Sequence, residues 1–153
     1  APTTTHDYIC IISPMSYEEQ QTIEKILNNS TTIAVVGLSS DPEKTSHKIP
    51  AYLQAQGYSI IPVNPTLDEA LGEKAYASLS EIEEPIDVVQ IFRPSDEVGP
   101  IVDEAIAAGA KAVWMQLGIA DEEAAARARE AGLDVVMNQC MKVQHTRWAA
   151  SMI

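Results

Sequence analysis

The chain has 153 residues, 46% of them hydrophobic, and its 22 acidic residues outweigh 10 basic ones to give a net charge of −12. This length suits one compact domain, and the hydrophobic fraction is ordinary for a globular protein. The acidity argues against a nucleic-acid partner, because such binders neutralise phosphates with clustered lysine and arginine. No apolar run approaches the roughly 20 residues that span a bilayer, and residues 8–12 are too short a run for a secretory signal. We therefore expect no membrane partner and a cytoplasmic location.

The two cysteines, Cys10 and Cys140, are far apart in the sequence and form no CxxC motif. The three histidines are also scattered, so the four clustered ligands of a structural zinc site are not in place. We expect no metal site, and a reducing compartment would disfavour a disulfide between the two thiols.

The first elements can be predicted from capping and periodicity. Residues 1–15 have no clear period and are interpreted as an arm. Ser16 and Glu19 form a capping box that predicts a helix ending near Asn28. Residues 31–38 form a β-branched run typical of a buried strand.

The next helix is predicted to begin at a Ser46 cap and to end at Gly57, with Pro50 in its first turn. A second buried strand is predicted at 58–63, followed by a longer connection over residues 66–85. The remaining predicted elements are strands at 86–92, 112–116 and 134–137 and helices at 95–108 and 121–131.

Strands that are apolar on both faces, alternating with amphipathic helices, indicate a parallel sheet covered on both sides. The predicted fold is therefore α/β: a three-layer, doubly wound, Rossmann-like domain with a five-stranded, mainly parallel sheet. We interpret residues 1–153 as a single domain, on which the C-terminal segment, residues 138–153, packs.

The loop from Gly37 to Ser46 is the first candidate site. In doubly wound sheets the ligand lies beyond the carboxyl ends of the strands, where the strand order reverses. Gly37 permits a sharp turn, and the following hydroxyl side chains and helix N-terminus suit an anion. These hydroxyls belong to Ser39, Ser40, Thr45 and Ser46. A β-to-α turn that binds nothing is the alternative interpretation.

Basic residues gather near this loop in an otherwise acidic chain. Lys44 and Lys48 flank its end, and Arg93 follows the third strand, where its guanidinium could contact a phosphate at two points. The alternative for Arg93 is a salt bridge to Asp96 or Glu97. Three cations at one edge of the sheet favour a multiply charged anion.

Two common nucleotide sites do not fit this sequence. Gly37 stands alone, so neither GxGxxG nor GxxxxGK[ST] is present, and Asn64 follows the second strand where an NAD site has an acid. A standard NAD site and the phosphate-binding loop of a P-loop NTPase are therefore disfavoured.

Many residues follow the pattern of one known family, in order. In the first half they are Val35–Ser39, Pro42, Ser46, Gly57-Tyr58, Ile61–Pro65, Gly72, Tyr76, Ser78-Leu79, Ile82 and Pro85. In the second half they are Asp87–Val89, Phe92-Arg93, Ala108–Lys111, Trp114, Gln116–Gly118, Ala131–Leu133 and Val135–Met137. Over residues 17–148 the chain resembles the small stand-alone coenzyme A-binding proteins, which are related to the cofactor-binding domain of the succinyl-CoA synthetase α subunit.

The resemblance implies a Rossmann-like domain that binds coenzyme A or an acyl-CoA, without a demonstrated catalytic activity. It implies a pyrophosphate on the Gly37–Ser46 loop, adenosine beside Asn64, and Arg93 closing the other side. The full set of implied cofactor-binding residues is Gly37, Leu38, Ser39, Ser40, Lys44, Ser46, Lys48, Val63, Asn64, Pro65, Phe92 and Arg93.

The chain departs from the family pattern at several positions. Lys44 stands where arginine is frequent, which reduces a two-point contact to a point charge. Gln90 replaces a common acid, and Asn138-Gln139 replaces a common Asp-Arg. No histidine lies in the loop from Gln116 to Asp121, so the phosphohistidine chemistry of the synthetases has no nucleophile here.

Cys140 is the one candidate for covalent chemistry. Its thiolate could exchange with the thiol of the cofactor, or pair with His145 as nucleophile and base. A buried structural cysteine is the alternative. The competing functions are an NAD(P)-dependent oxidoreductase and the CoA-binding subunit of an acyl-CoA ligase. A homodimer is the default expectation for the assembly.

Overall fold

The structure, a computed structural model, describes residues 15–152. Its strands, numbered in chain order, are β1 Thr32–Val36, β2 Ser59–Val63, β3 Glu69–Ala70, β4 Glu73–Lys74, β5 Val88–Ile91, β6 Ala112–Met115 and β7 Asp134–Val136. Five of them form one sheet in the order β2-β1-β5-β6-β7, and every neighbouring pair is parallel. The predicted five-stranded α/β fold is confirmed. The small hairpin of β3 and β4 lies in the long connection after β2.

Helices cover both faces of this sheet. They are α1 Tyr17–Asn29, α2 Thr45–Ala55, α3 Val98–Ala107, α4 Glu122–Glu130 and α5 Met141–Ser151, and two short 3₁₀ turns span Leu79–Glu81 and Ser95–Glu97. Among these described elements, none has the length and apolarity that crossing a bilayer would require. The predicted arm, residues 1–15, lies outside the described residues except for Met15.

Alternate residues of each strand serve two hydrophobic cores. Val89 and Val113 point to the face covered by α3 and α4. Val35 and Trp114 point to the opposite face, where α1, α2 and α5 pack. All four side chains are fully buried, and burying one large apolar side chain contributes about 1.5–3 kcal/mol. The sheet is therefore a rigid platform for the loops at its carboxyl edge.

The helix starts confirm one predicted cap and correct two predictions. The Ser16 hydroxyl accepts the Glu19 N–H at 3.1 Å as expected, and Asp121 caps α4. The prediction that Ser46 caps α2 was wrong: Lys44 is the N-cap, because a turn from Asp41 starts the helix two residues earlier. Pro50 consequently lies inside α2 rather than in its first turn.

The C-terminal segment forms α5, which is joined to α2 through a buried histidine. The Nδ1 atom of His145 lies 2.9 Å from the hydroxyl of Tyr52. The rings of Tyr52, Tyr58 and Trp148 surround the imidazole at centroid distances of 5.4, 5.7 and 5.5 Å. This aromatic surrounding lowers the pKa of His145 through burial, since a charged imidazole would lose its hydration there.

We predict that the free energy of unfolding falls as the pH drops below about 6.5, the ordinary pKa of histidine. Because the pKa of His145 is lowered in the folded state, the unfolded chain binds a proton in this pH range that the folded chain does not. The stability is therefore fully present above the unfolded pKa and is lost as the pH falls towards the folded pKa. Urea unfolding at about pH 7.5 and 5.5 measures the loss. His145→Gln should flatten the pH dependence and the control His47→Gln should not; an unchanged slope in His145→Gln would contradict the account.

Candidate functional site

The strand order reverses between β1 and β5, so the loops after these strands diverge. The Gly37 N–H still donates to the Val63 carbonyl at 2.9 Å, and the Phe92 N–H donates to the Val36 carbonyl at 2.9 Å. Beyond these two bonds the chains separate and a cleft of about 390 Å³ opens. Ligands of doubly wound sheets bind at such a reversal point, and the cleft volume is within the range of small-molecule sites.

The cleft combines apolar walls with a few charged groups. Five of the predicted residues line it: Gly37, Val63, Asn64, Pro65 and Arg93. Its other lining residues are Val36, Thr66, Ala77, Ser78, Leu79, Glu97, Ile101 and Glu104. Glu104 gives one side of the cleft a negative character, since its carboxylate accepts the Leu79 N–H at 3.2 Å, so a phosphate is favoured at the other side, toward the Gly37 loop, where Glu97 is paired with Arg93.

Gly37 is required by its backbone angle and by a close neighbour. Its φ is +90°, which residues with a side chain rarely adopt. A Cβ placed there would lie 3.0 Å from Cδ of Arg93, so the aliphatic part of that arginine crosses directly over the glycine. Gly37 and Arg93 thus form one surface at the entrance of the cleft.

The loop that follows Gly37 is held mainly through its own backbone atoms, which bond to neighbouring groups. The Asn64 side-chain amide donates to the Leu38 carbonyl at 3.0 Å, and the Ser39 carbonyl lies 2.7 Å from Nδ1 of His47. Pro50 has no N–H, so the Ser46 carbonyl lacks its donor within α2. That carbonyl accepts the Ser39 N–H instead, at 3.3 Å. The loop is therefore fixed to both β2 and α2.

The start of α2 presents unpaired donors. Within residues 15–152, the N–H groups of Thr45 and Ser46 have no hydrogen-bond acceptor. They lie in the first turn of an 11-residue helix, where the helix dipole favours an anion. Lys44 precedes them and is exposed, and Lys48 is 3.9 Å from Glu43, a long and weak ion pair.

Arg93 is engaged by a neighbour on the next turn. Its Nε and Nη2 atoms donate to the two carboxylate oxygens of Glu97, both at 3.0 Å. The hydrogen bond to Glu97 raises the pKa of Arg93 above its ordinary value. The salt-bridge alternative that the sequence left open is therefore present, with Glu97 rather than Asp96 as the partner.

Seven of the twelve predicted contact residues do not line the cleft, and two of these, Leu38 and Phe92, have side chains packed in the core. Leu38 is fully buried, and Phe92 packs on the same core beneath α2 and α5. Leu38 takes part in the loop only through its carbonyl group, which Asn64 binds. Any contact of Leu38 with a ligand would therefore involve its backbone.

Cys140 lies at the N-terminus of α5, on the same edge of the sheet but outside the cleft lining. Its side chain is half-buried and packs against the core under α2. Next to it, the Met141 N–H donates to Oε1 of Gln116 at 3.3 Å, and the same oxygen accepts from Gln90. Within the described residues, no group of three or more histidine, cysteine and acidic side chains could hold a metal ion.

Some of the lining residues could not be found by following the loops after strands. Ser78 and Leu79 belong to the connection after β2, while Ile101 and Glu104 are on α3. Tyr76 brings the connection into place, because its N–H donates to Pro62 and its carbonyl accepts from Asn64. The Ser78-Leu79 pair was part of the family pattern, and this was the available signal.

The chain is similar to several known proteins. The sequence profile described as "CoA binding domain" matches residues 31–146. The chain is 48% identical to the uncharacterized protein YneT of Bacillus subtilis over 123 residues, which cover 80% of this chain and 91% of YneT. A solved structure of a hypothetical protein from Pyrococcus horikoshii is 36% identical, with a TM-score of 0.84 over 90% of this chain and 99% of that one. The chain also matches the alpha subunit of acetate–CoA ligase (ADP-forming) II of Pyrococcus furiosus, at 36% identity over 56% of this chain and only 19% of that subunit.

We predict that Gly37→Ala destabilises the protein by about 1–2 kcal/mol through backbone strain alone, and by more because the new methyl group meets Arg93. Gly57→Ala is the matched control, since Gly57 also has a positive φ (+104°) but a Cβ there would have no neighbour within 4 Å. Urea unfolding of both variants gives the comparison. Equal losses would show that the Arg93 contact is not a constraint.

Proposed function

Because the chain belongs to the family of CoA-binding domains, we propose that it binds coenzyme A across the carboxyl edge of its sheet. The observation that carries the proposal is the joining of two features at the strand reversal. One is an apolar cleft of nucleoside size, and the other is a helix N-terminus with unpaired N–H groups.

The charges suggest how the cofactor is oriented. The adenosine lies in the cleft against Val63 and Leu79, because this side is apolar and its carboxylate, Glu104, would repel phosphate. That carboxylate suits the amino and hydroxyl donors of a nucleoside. The pyrophosphate lies on the Gly37–Ser46 loop, where Thr45 and Ser46 offer N–H groups and Lys44 offers a charge.

The pantetheine arm then follows the edge of the sheet away from the cleft. From β1 the edge passes β5 and β6 before it reaches Cys140 at the start of α5. Ser39, Ser40 and Lys48 border the start of this path, and Phe92 lies beside it. Of the twelve residues named from the sequence, five line the cleft and six belong to the loop and the start of α2, while Phe92 is in neither group.

The alternatives are separable by ligand. An NAD(P)-dependent oxidoreductase needs a group for the ribose hydroxyls after β2, but the Asn64 side chain is already bonded to Leu38 and to Thr66. A thermal-denaturation series with coenzyme A, NADP and ATP tests this, because a ligand that binds only the folded state raises the melting temperature. We expect a shift with coenzyme A. A shift with NADP and none with coenzyme A would reject the proposal.

A ligase subunit is the second alternative, favoured by the match to the acetate–CoA ligase alpha subunit. Such a subunit would need a partner that carries the nucleotide-grasp machinery. Co-purification with a larger ligase subunit would support this alternative. Coenzyme A binding by the isolated chain, with no such partner recovered, would favour a stand-alone binding protein that senses, carries or protects the cofactor.

We predict that Lys44→Ala weakens coenzyme A binding by about 1–3 kcal/mol, the range for hydrogen bonds to charged groups. Lys25→Ala is the control, because Lys25 pairs with Asp134 at the opposite edge of the sheet. Calorimetric titration of both variants measures the effect. An affinity of Lys44→Ala equal to that of wild type would remove Lys44 from the site.

We also predict that Cys140 forms a mixed disulfide when the protein is treated with coenzyme A disulfide. The Cys140 thiolate attacks one sulfur, and one molecule of coenzyme A leaves as its thiol. Mass spectrometry should show the gain of one coenzyme A in Cys10→Ser, and none in the double variant Cys10→Ser/Cys140→Ser. An unmodified Cys140 in the treated protein would contradict this prediction.

A further inference from the structure

Glu97 has a position that the binding proposal does not explain. It holds the guanidinium of Arg93 through two hydrogen bonds of 3.0 Å, and both side chains are about half exposed, at 46% and 48%. Both residues line the cleft together with Gly37. The Glu97 carboxylate thus lies at the edge of a site that is proposed to receive an anion. It is hydrogen-bonded to Arg93, the cation that this anion would contact.

Arg93 is anchored where it can serve either partner. Its Cδ lies over Gly37, at 3.0 Å from the position of a Cβ there. The guanidinium begins one bond beyond Cδ and is therefore close to the loop on which the phosphate is proposed to lie. A guanidinium fork that binds one carboxylate at two points cannot present the same N–H groups to a phosphate.

We propose that Glu97 is a built-in competitor of the ligand phosphate for Arg93. In the free protein the guanidinium is held by Glu97, and a phosphate on the Gly37 loop takes it over. This inference rests on the proposed function and adds a specificity-determining residue to it. A ligand that brings a phosphate beside Gly37 replaces the lost ion pair, whereas an uncharged nucleoside does not.

The size of the effect follows from the exposure of the pair. Exposed ion pairs of this kind are worth less than buried ones, and losing the competitor should tighten binding by about 2- to 5-fold. General charge removal would also favour an anion, because Glu97 is acidic. The neighbouring Asp96 provides the matched control: it is in the same 3₁₀ turn and exposed, carries the same charge, and does not line the cleft.

The test is a calorimetric titration with coenzyme A of wild type, Glu97→Gln, Asp96→Asn, Arg93→Gln and the double variant Arg93→Gln/Glu97→Gln. Glu97→Gln should bind about 2- to 5-fold more tightly than wild type, and Asp96→Asn should gain less. In the Arg93→Gln background, the gain from Glu97→Gln should fall to the size of the gain from Asp96→Asn. Adenosine, which has no phosphate, should bind wild type and Glu97→Gln equally.

Two results would overturn the inference while coenzyme A still binds wild type. One is a gain in Glu97→Gln no greater than in Asp96→Asn, and the other is a gain that persists in full without Arg93. Circular dichroism and melting curves of each variant establish that the compared proteins are folded. No binding of coenzyme A to wild type would reject the proposed function itself, so the two failures are distinguishable.

Discussion

The position of β1 between β2 and β5 is the constraint on which the site depends. Val36 and Gly37, at the end of this strand, bond to a different neighbour on each side, and the two neighbours lead to loops that turn apart. The cleft results from this divergence, before any side chain is considered. Because both faces of the sheet are buried, β1 has little freedom to shift, and its end is a fixed reference for the groups around it.

The electrostatics of the site are local, and they work against the charge of the whole molecule. A net charge of −12 repels an anion at long range. In the proposed site, attraction must therefore come from nearby groups: the first N–H groups of α2, Lys44 and Arg93. Salt screens the long-range repulsion within about 8–10 Å at ordinary ionic strength. Association of an anionic ligand should thus suffer less from added salt than it would in a basic protein.

Much of this arrangement could be predicted from the sequence, because it is encoded locally. Short apolar runs predicted the five strands of the sheet. Gly57 and Gly109 follow α2 and α3, the helices that they were expected to end. The start of α2 was misplaced because a turn from Asp41 competes with a serine cap. Ile101 and Glu104 were missed for another reason: no local pattern shows that a helix will reach across a cleft made by other segments.

The backbone hydrogen bond between Ser39 and Ser46 has a consequence for the amino-acid substitutions that such a loop can accept during evolution. Pro50 removes one helical bond, and the freed carbonyl ties the loop to the helix with backbone atoms alone. Side chains also shape this loop, because Ser39 Oγ accepts the Asp41 N–H at 3.0 Å and Asp41 Oδ1 accepts the Glu43 N–H at 2.9 Å. Substitutions at Ser40, whose side chain takes no part in these bonds, can therefore adjust the chemistry offered to a ligand while the curvature of the loop is kept.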